Sequence, residues 1–269
     1  MIASSHGLVC LCGFAYDLKK HLIVLWNPSI RKSVEIELPN KLNALGFGVC
    51  PKTMDPKIVR ITRRTNAQVY TLSSGAWRRV SMNLCVPGTG FRFCSYQVVI
   101  DGVIYWITNN TSGSCDKLIS FELTNEEFGV IELQDSIEDP EHLCISKLKE
   151  SLVVLNYDKS EVACVVWMMT KNGDPKSLLT KLFTVSFNAF HDSVYHRIVG
   201  FRKNGEPIIE RLCSGGGCRV ALEVYEPCTE NSNDIWTDTP FMMKRDSFFM
   251  TTSYTESLLL LNHPDSIIH

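Results

Sequence analysis

Side chains able to do nucleophilic or metal chemistry are plentiful here: eleven cysteines and seven histidines in 269 residues. Their spacing argues against both uses. Neither CxxC nor HExxH occurs. Cys10 and Cys12, two apart on an extended chain, share one strand face. Cys213 and Cys218 flank a Ser-Gly-Gly-Gly loop, with Cys228 beyond. A structural zinc site needs four tetrahedral ligands, and no fourth is evident near these three, so packed cysteines beside a flexible loop are the plainer reading and no metal is expected. A serine elbow is absent: Ser114 follows Gly113, but Asp116 stands where the second glycine belongs. The 213–218 loop lacks the Gly-Lys-Ser/Thr that holds a terminal phosphate and magnesium. Asp17, Asp55, Asp101, Asp158 and Asp174 all fall in turns, where aspartate binds local amides. The expectation is no catalytic residue, no cofactor and no enzyme.

The elements able to position a binding surface are more legible. Residues 68–81, QVYTLSSGAWRRVS, read as a hairpin of two alternating strands about a Ser73-Ser74-Gly75 turn. The phrase returns in residues 22–38 (LIVLWNPSIRKSVEIEL), 118–133 (LISFELTNEEFGVIEL, with Phe128 where Trp77 stood) and 221–235 (ALEVYEPCTENSNDI). Asp101-Gly102 between apolar runs is the strongest short hairpin signal in the chain. In residues 45–50, LGFGVC, two glycines leave room for close backbone packing. A recurring hairpin implies radially repeated sheets. Five units of roughly 40 to 55 residues, about four strands each, match propeller blades. The stretch 255–261 reads as a strand within part of a sixth unit, or as a two-turn helix. That Leu run and the apolar N-terminal strand are expected to help close the ring. Trp26, Trp77, Trp106 and Trp167 are expected in inter-blade packing. The fold class is therefore all-β: a β-propeller-like, kelch-like array of about five to six antiparallel sheets forming one domain over 1–269. A pair of packed antiparallel sheets remains the structural alternative.

Composition narrows the function. A net charge of −2, from 29 acidic and 27 basic residues, is too balanced for nucleic acid or an anionic membrane. No apolar run approaches the ~20 residues of a membrane span, and no basic region precedes the N-terminal apolar stretch, as a signal peptide would need. Spread cysteines then suit a reducing compartment, and the expected location is the cytoplasm or nucleus.

Nine phrases in order carry a family likeness: SSHGLVCL, WNPSIRKSVEIELP, LGFGVCPKTMDPKIVRI, VYTLSSGAWRRV, VVIDGVIYWI, LISFELTNEEFGVIEL, VVWMMTKNGDPKSLLTKLFTV, FRKNGEPII and YTESLLLLN. Together they resemble the plant F-box-associated interaction domain over nearly the whole chain. The resemblance implies a substrate-recognition module of a Skp–cullin–F-box ubiquitin ligase, one that captures a target protein of unknown identity. The helical F-box that usually precedes this domain is not found before SSHGLVCL, so a Skp-type adaptor and cullin are expected partners only if an F-box is restored. Loops diverge on a shared scaffold, which nominates Lys52, Asp55, Asn109, Asn110, Lys171, Asn172, Asp174, Gly215 and Gly216 for partner contact. Arg63 and Arg64, beside Arg60, could rim an acidic partner. A different class stays open: a small-molecule or glycan-binding propeller with hydrolase chemistry, marked by carboxylates converging on a channel.

Overall fold

Period-two alternation becomes strand throughout. The computed structural model describes residues 3–17, 19–39, 44–63, 66–82, 91–110, 117–133, 137, 143–158, 162–170, 178–187, 193–214, 218–229, 231–237 and 255–268; no helix occurs among them. The fold is all-β, with five antiparallel sheets of the β-propeller type. Two compact units hold them: residues 1–131 with 252–269, and residues 132–251.

In the first unit, sheet 1 contains β1 (Ala3–Ser5), β2 (Leu8–Ala15), β3 (Lys20–Asn27) and β4 (Lys32–Glu37). Sheet 2 contains β5 (Ala44–Val49), β6 (Pro56–Arg63), β7 (Asn66–Thr71) and β8 (Ala76–Ser81). Sheet 3 contains β9 (Phe91–Ile100), β10 (Val103–Asn110), β11 (Lys117–Glu122) and β12 (Glu127–Glu132). In the second unit, sheet 4 contains β13 (Leu143–Leu148), β14 (Ser151–Tyr157), β15 (Ala163–Thr170) and β16 (Leu178–Ser186). Sheet 5 contains β17 (Ser193–Phe201), β18 (Pro207–Ser214), β19 (Cys218–Glu226) and β20 (Asn231–Thr237). Each strand pairs with its neighbour in sequence, as short hairpin connections dictate.

The repeated phrase is the hairpin of the third and fourth strands of its sheet. Tyr70 faces Trp77 across β7–β8 with ring centroids 5.4 Å apart, and Phe121 meets Phe128 at 4.7 Å. Asp101 (φ 48°) and Gly102 (φ 75°) make the two-residue β9–β10 turn, with the positive φ angles a primed hairpin turn requires.

Three expectations need correction. Residues 255–261 form neither strand nor helix. They are extended coil entering a turn, and Leu260 inserts into the core of sheets 1 and 2. A two-residue strand, β21 (Ile267–Ile268), then pairs with β4, so the C-terminus enlarges the first sheet instead of starting a sixth. Trp26 is 37% exposed, because it shares a row with Ser33 on the face of sheet 1 opposite Leu25 and Val34. A short β1 also precedes the first strand that was expected; its three residues, ASS, are too few and too polar to announce themselves.

Apolar layers lie between sheets. Cys10, Leu25 and Val34 of sheet 1 pack with Phe47, Ile58 and Tyr70 of sheet 2, and Cys12 packs beside Cys10 as their spacing implied. Val59, Ile61 and Val69 of sheet 2 pack with Ile104, Trp106 and Phe121 of sheet 3. Tyr157, Cys164 and Val185 of sheet 4 pack with Ile198, Ile209 and Tyr225 of sheet 5.

Trp106, 1% exposed, fills the space above Gly46, where any added Cβ would strike its six-membered ring. Its indole N–H donates to Leu45 O at 3.0 Å. Trp106→Ala should therefore lose about 3–5 kcal/mol of stability by urea unfolding, the range for truncating a buried aromatic. Trp26→Ala should stay within about 1 kcal/mol of the parent.

Candidate functional site

Consecutive antiparallel strands place successive connections at opposite ends of a sheet. At one end of the first unit the turns are cross-braced. The β5–β6 turn is tied to the β7–β8 turn because Asp55 accepts from the Ser73 amide at 3.1 Å and from the Ser73 hydroxyl. Pro51 packs on Gly102, where a Cβ would lie 2.6 Å from the proline ring. Lys57 is buried and reaches from sheet 2 to the β11–β12 turn, donating to Leu123 O at 2.6 Å and to Glu126 Oε1 at 2.7 Å. Glu126 sits at φ 61°, an uncommon conformation for a residue other than glycine, and its second oxygen takes Arg78.

The same end receives the C-terminal arm. Asn27, fully buried, donates to Ser257 O at 2.9 Å and to Leu259 O at 2.8 Å. Lys32 Nζ donates to Leu261 O at 2.6 Å. Between the arm and the β7–β8 turn lies a groove of about 720 Å³, walled by Ser73, Ser74 and Gly75 on one side and by residues 258–265 on the other. Leu258 and Leu261 stand at its mouth, 70% and 43% exposed. Sequence reasoning missed this groove, because its walls lie some 180 positions apart (Gly75 against Leu258) and long-range contacts, the Asn27 and Lys32 bonds and buried Leu260, bring them together.

Five of the nominated contact residues, Lys52, Asp55, Arg63, Asn109 and Asn110, lie among the described residues. Lys52 and Asp55 occupy the braced end, with Lys52 exposed and Asp55 engaged by Ser73. Arg63 ends β6 at the opposite end of the same sheet, and Arg64 lies outside the described residues. Arg60 is 5% exposed and donates to Gln68 Oε1 at 2.6 Å, so it belongs to the interior of sheet 2. Asn109 and Asn110, expected in a loop, are the last residues of β10 and pair with Arg92 and Phe91; the ladder simply runs further than polar composition suggested. Lys171, Asn172, Asp174, Gly215 and Gly216 lie outside the described residues. Of the 213–218 cluster, Ser214 pairs with Cys218 across β18–β19, and Cys228 is exposed.

Electrostatics mark two further places. Burial alone would raise the Cys50 thiol, but the Thr53 hydroxyl and the Thr53 and Lys52 amides outweigh it and hold the group below its usual value. The whole residue is 1% exposed, and its thiol donates to the Thr124 hydroxyl at 3.8 Å. In the second unit, Arg197 pairs with Glu210 at 2.9 Å, both nearly buried. On the other face of sheet 5, Arg211 pairs with Glu223 at 2.5 Å. His196 stacks on Phe187 at 5.1 Å and is held down at about 4 from the usual 6.5, first by burial and then by Arg211. Among the described residues no three His, Cys, Asp or Glu side chains come together as metal ligands.

Two stability outcomes follow from these charges. Glu126→Ala leaves the Lys57 ammonium buried and unpaired and should cost about 3–5 kcal/mol, whereas Arg78→Ala, removing a half-exposed partner, should cost under about 1 kcal/mol; chemical denaturation separates them. His196 prefers to be neutral when folded, so between pH 6.5 and about 4 the unfolded chain binds the extra proton and stability falls as the pH falls. Solvent screening of the half-buried ring limits the loss to about 1–2 kcal/mol. Glu223, whose carboxyl is held above its ordinary range mainly by burial, acts in the opposite sense. The readout is therefore the difference between the parent and His196→Gln, whose profile should be flatter across that window.

The sequence model described as the F-box associated beta propeller domain matches residues 3–208. An Arabidopsis thaliana protein named as an F-box protein is 31% identical over 144 residues, 49% of this chain and 35% of that protein. The match thus spans about a third of that relative's length. Among solved structures, an oligogalacturonate lyase in complex with manganese superposes with a TM-score of 0.50 at 12% identity, covering 86% of this chain and 62% of that one. A second oligogalacturonate lyase, from Vibrio parahaemolyticus, gives 0.45 at 8% identity, covering 85% and 74%. At such identities the likeness is one of fold alone.

Proposed function

Because the chain belongs to the F-box associated beta propeller domain family, we propose that it is the substrate-recognition module of a Skp–cullin–F-box type ubiquitin ligase, presenting a target protein for ubiquitination. The family match across three quarters of the chain is the observation that carries this reading. The relative named as an F-box protein supports it. The buried ion pairs, which sit within and between sheets as structural ties, are consistent with a binding scaffold.

In this reading the chain makes no covalent bond to its target. Adaptor and cullin binding belong to an F-box joined to it, and ubiquitin transfer belongs to other subunits. The compartment we propose is the cytoplasm or nucleus, where that machinery works. The kelch-like label describes only blade repetition and adds no separate function.

The test is affinity capture with the intact chain, alone and with an F-box fused at its N-terminus. The fused form should recover a Skp-type adaptor and increase ubiquitination of co-captured protein. The chain alone should recover the same target without the adaptor. Adaptor recovery by the unfused chain, or no shared target between the two forms, would overturn the proposal.

A further inference from the structure

The groove beside the β7–β8 turn has properties that the family likeness does not supply. Both walls are fixed without a ligand. Ser74 Oγ donates to Thr71 O at 3.0 Å and Ser73 is held by Asp55, so the turn is set. The arm is set by Asn27 and Lys32 and by the buried Leu260. Its final turn is closed by Ser266, which donates from its hydroxyl to His263 O at 2.8 Å, and by the Asp265 amide, which donates to His263 Nδ1 at 3.3 Å. A groove whose walls are held by their own bonds loses little conformational entropy on docking, and its volume lies in the range of ordinary ligand sites.

Its chemistry is one-sided. Leu258 and Leu261 offer exposed aliphatic surface at the mouth. Among the lining residues Asp265 is the single formal charge, and neither lysine nor arginine lines the groove. Asp265 is exposed and makes no ion pair among the described residues. It lies close enough to Tyr70 that its charge adds to burial in holding the phenol above its usual range. Lys32, a cation beside the arm, donates to Leu261 O. Apolar walls with one unmatched carboxylate complement an aliphatic side chain next to a cation.

We propose that this groove docks a short extended segment of the recruited protein, in which an aliphatic residue lies beside a lysine or arginine that pairs with Asp265. This rests on the recognition reading above and names the chemistry of what is recognised. The contact belongs to the C-terminal arm and the β7–β8 turn, with the nominated Asp55 bracing one wall through Ser73.

A displayed library of random heptapeptides, selected on the intact chain, tests it. Enriched peptides should pair Leu, Ile or Val with an adjacent Lys or Arg. Synthetic copies should bind at least tenfold more weakly to Asp265→Lys, and that variant should instead select peptides with Asp or Glu at the same place. Leu258→Ser with Leu261→Ser should weaken binding at least fivefold while leaving thermal unfolding unchanged, since both side chains are exposed. Enrichment of nothing, of peptides without the pairing, or of peptides indifferent to Asp265→Lys would overturn the proposal. So would a concentration-dependent dimer by light scattering that the double leucine variant abolishes, because the groove would then hold a second copy of the chain. The adaptor-fusion capture reads F-box docking and does not depend on Asp265, so either proposal can fail alone.

Discussion

Among the described residues, neighbouring sheets within a unit share no backbone ladder, and that constraint shapes everything else. A strand inside a sheet satisfies its amides and carbonyls on its partners, but the junction between two sheets has only side chains to join it. The structure meets this with polar side chains that bond to the main chain of the next sheet. Gln97 of β9 donates to Phe47 O at 2.7 Å and accepts from the Phe47 amide at 2.6 Å, copying a strand's own pattern with one amide group. Trp106 and Lys57 add bonds to Leu45 O and Leu123 O across the same junction. Trp77 donates to Glu37 O at 3.2 Å between sheets 1 and 2, and the Tyr157 hydroxyl accepts from the Ile198 amide at 2.9 Å between sheets 4 and 5. Apolar burial supplies most of the driving force at these junctions. The polar bonds determine orientation, because a buried donor or acceptor left unpaired is costly.

That division of labour explains why one end of the first unit is cross-braced. Once Lys57 and Glu126 tie sheet 2 to the β11–β12 turn, and Pro51 rests on Gly102, the short turns of sheets 2 and 3 have fixed neighbours. The C-terminal arm completes the set by bringing its own carbonyls to the buried Asn27. Asn27-Pro28 opens a turn in sequence, and proline's fixed φ suits it there. The asparagine side chain does a second thing that only the fold reveals. Its carbonyl oxygen caps Ser29 at 3.0 Å while its amide nitrogen holds the arm.

Local pattern therefore reached as far as local physics does. The repeated hairpins, the Asp101-Gly102 turn and the close packing at Gly46 follow from alternation, turn chemistry and the absence of a side chain, all of which act within a few residues. The groove was not legible, because it depends on bonds between residues some 230 apart, such as Asn27 and Ser257. The leucine run misled for a related reason. Leu and Glu favour helix when nothing else decides, but here Asn27 and Lys32 take the carbonyls of Ser257, Leu259 and Leu261 that a helix or ladder would have used. Trp26 misled because position in a strand predicts a row, not which face that row turns to the core. Asn109 and Asn110 misled because polar side chains say little about a backbone still paired to Arg92 and Phe91.

The braces also bear on how such a scaffold could change partners. A loop whose main chain is held by its own side chains loses its shape when those side chains vary. Asp55, Ser73 and Glu126 are thus poor places for specificity to evolve, although Asp55 looked from sequence like a contact residue. Leu258, Leu261 and Asp265 are different. Their backbone is positioned by Asn27, Lys32 and His263, while their side chains are exposed. Changing them alters what the groove prefers without loosening the arm that forms it. Surface chemistry carried on a main chain anchored by other residues is free to diverge, and in this chain that condition is met most clearly at the C-terminal arm.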